Sequence, residues 1–504
     1  MRKPEVGESL NPRQSIVLLA LLALFLFVCL LPDRTFLLDW DTSWFLYHAF
    51  SAGEIYHANG THLLIGWLYS PVVFLSSVPQ DLFFNMRWFS FAFAIGGLLA
   101  YVLLLQELFP ERPITVALLA VFYVVFPSYQ SILRSMDDNL FAYPFISLSL
   151  YFWIRYVKGA SLMSLAYAAV CVTIAFLLAL GFVFFIGPII AAPLLAARRP
   201  TGMLLRHTVL AAVFLGCSAF LIIGLHSVLA FENGFELMTR DYTARHHPDA
   251  SWDHFFELVR FSWTEPLTGC SNLDCSEAAL LTPGPADWFS PLVRQVSRAL
   301  VLLGLAPIGV LLWKKKWQDV LIYAGFLALL SVAIVFLGYT KSLDVHERYD
   351  AFLFVLPFLV YALREPPWVR KASVIPVVVL IGFGVFYFAR TLALKSPVSE
   401  YRELGLREMK THYYFSTDEI GTRDCGVWFS AYVAGLNLDT VTGVREAHLD
   451  ALAQSAGLHV WDVEPLKPPL SFPEFRATVE RGTADYYISP MLREQLAERG
   501  VQIR

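Results

Sequence analysis

The chain has 504 residues, of which 57% are hydrophobic and 16% are charged, and its mean hydropathy is +0.55. Soluble globular domains carry about 25% charged residues, so these values exclude an ordinary soluble protein and indicate a membrane protein with polar segments attached. The formal net charge of −4 excludes the basic surface that a nucleic-acid-binding protein needs. Six cysteines in so long a chain exclude a fold built on disulfides.

Apolar runs long enough to cross a hydrocarbon core of roughly 30 Å recur through residues 1–390. We predict a mainly α, polytopic membrane domain there, with outer loops at 32–82 and 230–294. The segment Leu63–Val78 is apolar but short, has a central proline, and is expected to lie in the membrane interface. About eleven spans are predicted: Ser15–Leu31, Phe84–Leu108, Ile114–Tyr129, Asn139–Val157, Leu162–Leu180, Phe182–Ala197, His207–Leu225, Val296–Trp313, Val320–Tyr339, Tyr349–Leu363 and Val374–Phe388.

Lysines and arginines concentrate in alternate loops, which are predicted to be cytoplasmic because basic loops are retained on that side. The short loops of the opposite side hold only Arg34, Arg134, Lys341 and Arg348. This alternation predicts a multi-pass protein of the inner or plasma membrane with a cytoplasmic N-terminus. An odd number of spans places the C-terminus outside.

Residues 391–504 are polar and predict a small extracytoplasmic α/β domain. Its Cys425 is expected to be a buried structural thiol rather than a nucleophile. In the outer loop, Cys270 and Cys275 fit either a disulfide or two free thiols. In the domain we predict strands at Gly426–Phe429, His459–Val463 and Tyr486–Ile488, and helices at Arg445–Ala456, Phe472–Arg481 and Pro490–Arg499.

Acidic and basic side chains beside membrane spans are costly, so they are the first place to search for chemistry. Asp39 and Asp41 are two residues apart in LLDWDTSW. Such a pair could share a cation or raise one carboxyl's pKa, and either residue could act as a general base. The alternative is that one of them only caps the helix that follows.

The stretch LLDWDTSWFLYHAFSAGE, followed by THLLIGWLYSPVVFL and SVPQDLFFNMRWFSF, resembles the start of polyprenyl-phosphate-sugar-dependent glycosyltransferases of the GT-C superfamily. This superfamily includes the protein mannosyltransferases and the lipid A aminoarabinose transferases. Thr42 replaces the second acid of the family's Asp-Glu pair, so no function of that Glu is assigned to this chain. The matching positions are Asp41, Ala49, Gly53, His62 and Arg87.

Two later motifs extend the resemblance. In ILRSMDDNLFAYPF, Arg134 and Asp138 match an Arg and an Asp that the family places at the outer end of a span, with Asp137 as the rival acid. A helix cap for Asp138 and an interfacial anchor for Arg134 are the alternatives.

In YTKSLDVHERYDAFLF, Arg348 matches an Arg-Tyr pair that enters a late span. The resemblance implies that Arg348 binds the lipid-linked phosphate, with Lys341 and His346 close by. The planar fork of arginine suits two hydrogen bonds to phosphate oxygens. A snorkelling anchor is again the alternative.

The loop segment TARHHPDASWDHF contains candidate metal ligands. Its spacing matches no zinc pattern, so solvated loop histidines are the favoured interpretation. A divalent cation shared by Asp138 and this loop is kept as an open option, and no other cofactor is implied. The candidate ligands are His246, His247, Asp249, Asp253 and His254.

By resemblance, the chain is predicted to be an inverting hexosyl- or pentosyltransferase whose donor is a sugar on undecaprenyl or another polyprenyl phosphate. Asp41 and Asp138 would be catalytic, and Arg348, Lys341, His346 and Arg134 would bind the phosphate. The acceptor would be a glycan, lipid or protein hydroxyl. The alternatives are a transporter or flippase and a non-catalytic binding protein. The lack of internal sequence repeats and the gathering of charge on one side favour the enzyme.

Overall fold

The computed structural model shows a mostly helical chain. It describes residues 12–31, 42, 45–46, 49–50, 63–110, 112–134, 136, 138–159, 161–179, 201–229, 233–236, 309, 312–315, 317, 320, 377–379, 381–389, 412–416, 441–445, 470–481, 486–488, 490–498 and 500. The helices are α1 Pro12–Cys29, α2 Ile65–Phe74, α3 Pro79–Leu108, α4 Pro113–Val125, α5 Pro127–Arg134, α6 Tyr143–Val157, α7 Leu162–Leu178, α8 Thr201–Leu229 and α9 Val377–Ala389. A 3₁₀ turn at Asp138–Phe141 precedes α6.

Prolines and an acidic residue mark the helix starts. α3, α4 and α5 each begin at a proline, whose fixed φ and missing N–H suit the first helical position. At α3, the Asp81 carboxylate also accepts hydrogen bonds from the N–H groups of Ser77 and Val78, at 3.0 and 3.2 Å. A carboxylate there stabilises the positive end of the helix dipole.

Proline also divides a predicted span. The sequence predicts one span over Ile114–Tyr129, but α4 ends at Val125 and α5 begins at Pro127, with Phe126 in an extended conformation between them. The residue before a proline is pushed away from the α conformation, so the chain turns at this point. The predicted span Asn139–Val157 likewise begins as a 3₁₀ turn and becomes α-helical only at Tyr143.

Among the described residues, two stretches are both long and apolar enough to cross a membrane, Asp81–Leu108 and Val209–Leu229. α2 has 10 residues and is about 15 Å long, which is too short to cross. Large apolar side chains face outward on α8, with Phe220 66% and Leu221 69% exposed. This surface is suited to acyl chains rather than water.

Close packing joins the helices. α3, α6 and α7 pack side by side, with α8 against α7 and α1 against α3 and α4. The C-terminal ends of α3 and α6 lie together, because Lys158 Nζ forms an ion pair with Glu107 Oε1 at 2.9 Å. Both ends therefore lie on one side of the bundle. The predicted spans between residues 182 and 363 other than His207–Leu225 fall largely outside the described residues, so the number of eleven stays a prediction.

The described part of the tail is an α/β unit. The strands β1 His412–Ser416, β2 Val441–Arg445, β3 Leu470–Ser471 and β4 Tyr486–Ile488 form a parallel sheet in the order β3-β2-β1-β4. The helices are α10 Phe472–Arg481 and α11 Pro490–Glu498. Phe475 of α10 and Leu492 of α11 pack with Tyr414, Val444 and Ile488 of the sheet.

Four tail predictions can be compared with the structure. β4 and α10 have the predicted bounds, and α11 ends one residue before the predicted Arg499. Arg445, however, ends a strand where a helix was expected to begin, and the strands β1, β2 and β3 were not predicted. Segments 426–429, 446–456 and 459–463 lie outside the described residues.

Candidate functional site

The structure describes part of the predicted site. Thr42, Ala49, Arg87, Arg134 and the backbone of Asp138 are described. The predicted residues outside the described ones are Asp39, Asp41, Gly53, His62, Asp137, His246, His247, Asp249, Asp253, His254, Cys270, Cys275, Lys341, His346, Arg348 and Cys425.

The second motif forms a tight turn between α5 and α6. Arg134 is the last residue of α5, where a cation complements the negative end of the helix dipole. Met136 has a φ of 51°, a left-handed conformation that costs an ordinary side chain roughly 1 kcal/mol. The Met136 N–H donates to the Leu133 carbonyl at 3.2 Å. The 3₁₀ turn that begins at Asp138 follows directly.

Arg134 is buried inside the helical bundle. Its side chain is 0% exposed, and its guanidinium lies over the Phe388 ring of α9, 5.3 Å from the ring centre. It also interacts electrostatically with the Cys29 thiol. An interfacial anchor would reach water, so this burial argues against that alternative. A guanidinium held in an apolar setting attracts an anion more strongly than one in water.

Thr42 connects the first motif to the second. Its side chain is 0% exposed, and its Oγ1 donates to the Met136 carbonyl at 2.9 Å. The same oxygen lies 3.2 Å from the Tyr69 hydroxyl of α2. The residue that follows Asp41 therefore contacts the turn that separates Arg134 from Asp138. From the sequence, Thr42 stands out only because the family has an acid at this position. Its contact with Met136 crosses 94 positions of the chain, so no local pattern predicts it.

α2 is held in place from three sides. Tyr69 packs edge-on against Phe141 of the 3₁₀ turn, with ring centres 5.5 Å apart. The Leu64 N–H donates to the Leu177 carbonyl of α7 at 3.1 Å. Trp67 Nε1–H donates to His226 Nδ1 of α8 at 3.1 Å. The predicted interfacial segment is thus packed into the bundle, and its Tyr69 lies beside Thr42.

Arg87, the last matching position of the first motif, binds the end of α1. Its Nε donates to the Leu30 carbonyl at 2.5 Å, and its guanidinium lies over the Phe83 ring at 5.8 Å. Carbonyls at a helix end have no partner within the helix, so a donor from another helix stabilises them. Arg87 joins α1 to α3.

Within the described residues, no three His, Cys, Asp or Glu side chains form a group that could hold a metal ion. The candidate ligands of the outer loop lie outside those residues. The metal option therefore stays a prediction.

No protein-family model matches the chain, and no curated protein sequence matches it. Several solved chains are similar to it, and two of them are described here. The crystal structure of ArnT from Cupriavidus metallidurans bound to undecaprenyl phosphate shares 13% identity at a TM-score of 0.42, covering 97% of this chain and 95% of that one. The apo structure of the same protein shares 14% identity at a TM-score of 0.41, covering 96% and 94%.

Proposed function

We propose that the chain is an integral membrane glycosyltransferase that moves a sugar from a polyprenyl phosphate to a hydroxyl acceptor. The observation that carries this proposal is the hydrogen bond from Thr42 Oγ1 to the Met136 carbonyl, at 2.9 Å. It joins the residue after Asp41 to the turn between Arg134 and Asp138. Two motifs that the family resemblance assigns to one site are therefore in contact, although they are far apart in the sequence.

Asp41 is the proposed general base. It accepts the proton of the acceptor hydroxyl while that oxygen attacks the anomeric carbon of the sugar. The bond from this carbon to the phosphate oxygen breaks, and its electron pair leaves with the lipid phosphate. Attack from the face opposite the phosphate inverts the anomeric centre. Asp138 is the proposed second catalytic carboxylate, with Asp39 and Asp137 as acidic partners.

Cations offset the charge that grows on the departing phosphate. Arg348, Lys341 and His346 are assigned this role by the resemblance, together with Arg134. The burial of Arg134 supports its assignment, because positive groups fixed in a dry site stabilise a developing anion without reorganising. A divalent cation held by Asp138 and by His246, His247, Asp249 or His254 would also offset the negative charge on the phosphate.

The protein is proposed to act at the outer face of the inner or plasma membrane. Its N-terminus would be cytoplasmic and its tail extracytoplasmic, beside the acceptor. The acceptor would be a hydroxyl of a glycan, a lipid or a protein. A lipid-linked donor suits this location because a polyprenyl chain stays in the bilayer beside the helices.

Asp41→Asn tests the general base. Purified variant and wild type are incubated with an acceptor fraction and a polyprenyl phosphate carrying a radiolabelled sugar, and release of the lipid phosphate is followed. We expect turnover to fall on the order of a hundredfold or more, because an amide cannot accept the proton.

Asp81→Asn is the matched control. Asp81 caps α3 through the Ser77 and Val78 N–H groups, and an asparagine can cap in the same way. This variant should keep wild-type turnover. Near-normal turnover by folded Asp41→Asn would contradict the assignment of the base.

A further inference from the structure

We infer that Thr42 is a positioning residue that fixes the catalytic carboxylates of the first and second motifs relative to one another. The inference rests on the proposed function and assigns a role to the position where the family's second acid is missing. It is carried by one buried hydroxyl, its two partners and the backbone conformation that it holds.

The direction of each hydrogen bond follows from the chemistry of the partners. A threonine hydroxyl has one proton, and the Met136 carbonyl can only accept. The Thr42 proton therefore lies on the bond to Met136, at 2.9 Å. The Tyr69 hydroxyl, at 3.2 Å, must then donate its proton to Thr42. The order of donation is Tyr69 to Thr42 to Met136, and we call these three residues the threonine clamp.

The clamp acts on a backbone conformation that needs support. Met136 is in the left-handed region, with a φ of 51°, and its side chain is buried. Such a conformation persists only when neighbouring contacts determine it. The hydrogen bond from Thr42 holds the carbonyl of this residue, and Asp137 and Asp138 come next in the chain. Loss of the bond would free the backbone of the turn that leads to Asp138.

Tyr69, the third residue of the threonine clamp, is held in place by packing. Tyr69 is fully buried, and its ring packs edge-on against Phe141, four residues along from Asp137. α2 therefore contacts Thr42 through the Tyr69 hydroxyl and Phe141 of the 3₁₀ turn through the Tyr69 ring. Movement of α2 would shift the Asp41 side and the Asp138 side together.

A carboxylate in place of Thr42 could not form the same contacts. An ionised acid has no proton to donate, so it would face the Met136 carbonyl as one acceptor against another. The hydroxyl thus suits this chain's own turn, and the site is expected to depend on the two remaining carboxylates, Asp41 and Asp138.

The test compares Thr42→Val with Thr42→Ser. Valine keeps the shape and removes the hydroxyl, whereas serine keeps the hydroxyl. A misplacement near 1 Å can cost on the order of a hundredfold in rate. We expect Thr42→Val to lower kcat by about tenfold or more, with little change in KM for the donor, because Arg134 is held separately by Phe388. The kcat of Thr42→Ser should recover at least half of the difference between Thr42→Val and the wild type.

Thr173→Val is the matched control. Thr173 is also fully buried, and its Oγ1 donates to the Ala169 carbonyl within α7 at 2.8 Å. Thr173→Val loses the same hydroxyl at a position outside the two motifs, so the kcat of this variant should equal that of the wild type. If Thr42→Val is not obtained folded, Tyr69→Phe decides: kcat should fall, and an unchanged kcat overturns the inference.

The outcomes separate the two proposals. Turnover can depend on Asp41 while Thr42→Val keeps the wild-type kcat or changes only KM. In that case the positioning role of the threonine clamp is wrong and the proposed function is retained. Failure of serine to restore kcat also overturns the clamp. If the wild type shows no Asp41-dependent release of lipid phosphate, both proposals fall.

Discussion

Arg134 places a positive charge inside the helical bundle. A guanidinium with 0% exposure has lost its hydration, and desolvation of a charge is costly unless an interaction replaces the water. The aromatic face of Phe388 offsets part of that cost. In the proposed function, this buried cation lies beside the donor phosphate and adds to the positive charge that faces it.

Arg134→Lys tests this residue. Lysine keeps the charge but loses the planar fork and stacks less well on an aromatic ring. We expect KM for the donor lipid to rise by about tenfold, with a smaller fall in kcat, since one paired contact to phosphate is replaced by a point charge. Steady-state kinetics over a range of donor concentrations provide the measurement.

Arg155→Lys makes the same exchange at an exposed site, where the guanidinium lies over Tyr151 at 5.6 Å. Its KM should match that of the wild type. An unchanged KM in Arg134→Lys would exclude Arg134 from the donor site.

At the scale of elements, the crossing of α9 with the end of α4 depends on one glycine. A Cβ added at Gly384 would overlap the Val125 carbonyl. Gln130 reinforces the crossing, because its Nε2 donates to the carbonyls of Val125 at 2.6 Å and Gly384 at 3.0 Å. The break between α4 and α5 is therefore where α9 docks and where Phe388 is brought over Arg134.

Gly384→Ala should force the two helices apart. Overpacking of this kind typically costs about 1–3 kcal/mol, so the thermal unfolding temperature in detergent should fall. Gly382→Ala, in the same helix and with open space at its Cβ position, should unfold at or slightly above the wild-type temperature. Equal unfolding temperatures for the two variants would contradict the close crossing.

The tail offers a second test at this scale, at the start of α10. Glu474 Oε2 accepts hydrogen bonds from the Ser471 N–H and hydroxyl, at 2.8 and 2.7 Å. This is a capping-box pattern. The two hydrogen bonds from Ser471 lower the pKa of the Glu474 carboxyl from its ordinary value of 4.5.

Ser471→Ala should destabilise α10 by about 0.5–2 kcal/mol, seen as faster hydrogen exchange of its amides in the intact protein. A lowered carboxyl pKa means that the stabilisation is complete above pH 4.5 and is lost as the pH falls through the lower folded value. The difference between variant and wild type should therefore shrink on acidification. Thr478→Ala, further along the helix, is the control for loss of a hydroxyl.

At the scale of the whole molecule, hydropathy predicts helix existence better than helix ends. The apolar runs around α1, α3 and α7 were located from sequence, because burial in lipid or core requires continuous apolar stretches. The break at Phe126 was missed, since a hydropathy average does not register the conformational restriction that Pro127 imposes. β1, with the sequence HYYFS, was missed because its tyrosines give no clear alternation.

The candidate site was predictable only in part. The family resemblance placed Arg134 and Asp138 together at the outer end of one span. The contact of Thr42 with Met136 depends on how α2, α5 and the 3₁₀ turn pack, which no local pattern contains. The burial of Arg134 under Phe388 likewise follows from the packing of α9 against residues more than two hundred positions earlier.

The proposed function requires that the protein transfer a sugar from a polyprenyl phosphate rather than move the lipid itself. The most direct measurement uses purified protein in liposomes that contain a polyprenyl phosphate with a radiolabelled sugar, with an acceptor fraction outside. Release of free polyprenyl phosphate, matched by label in the acceptor and lowered on the order of a hundredfold or more by Asp41→Asn, is the predicted result. Movement of the intact labelled lipid across the bilayer without release of phosphate would contradict it.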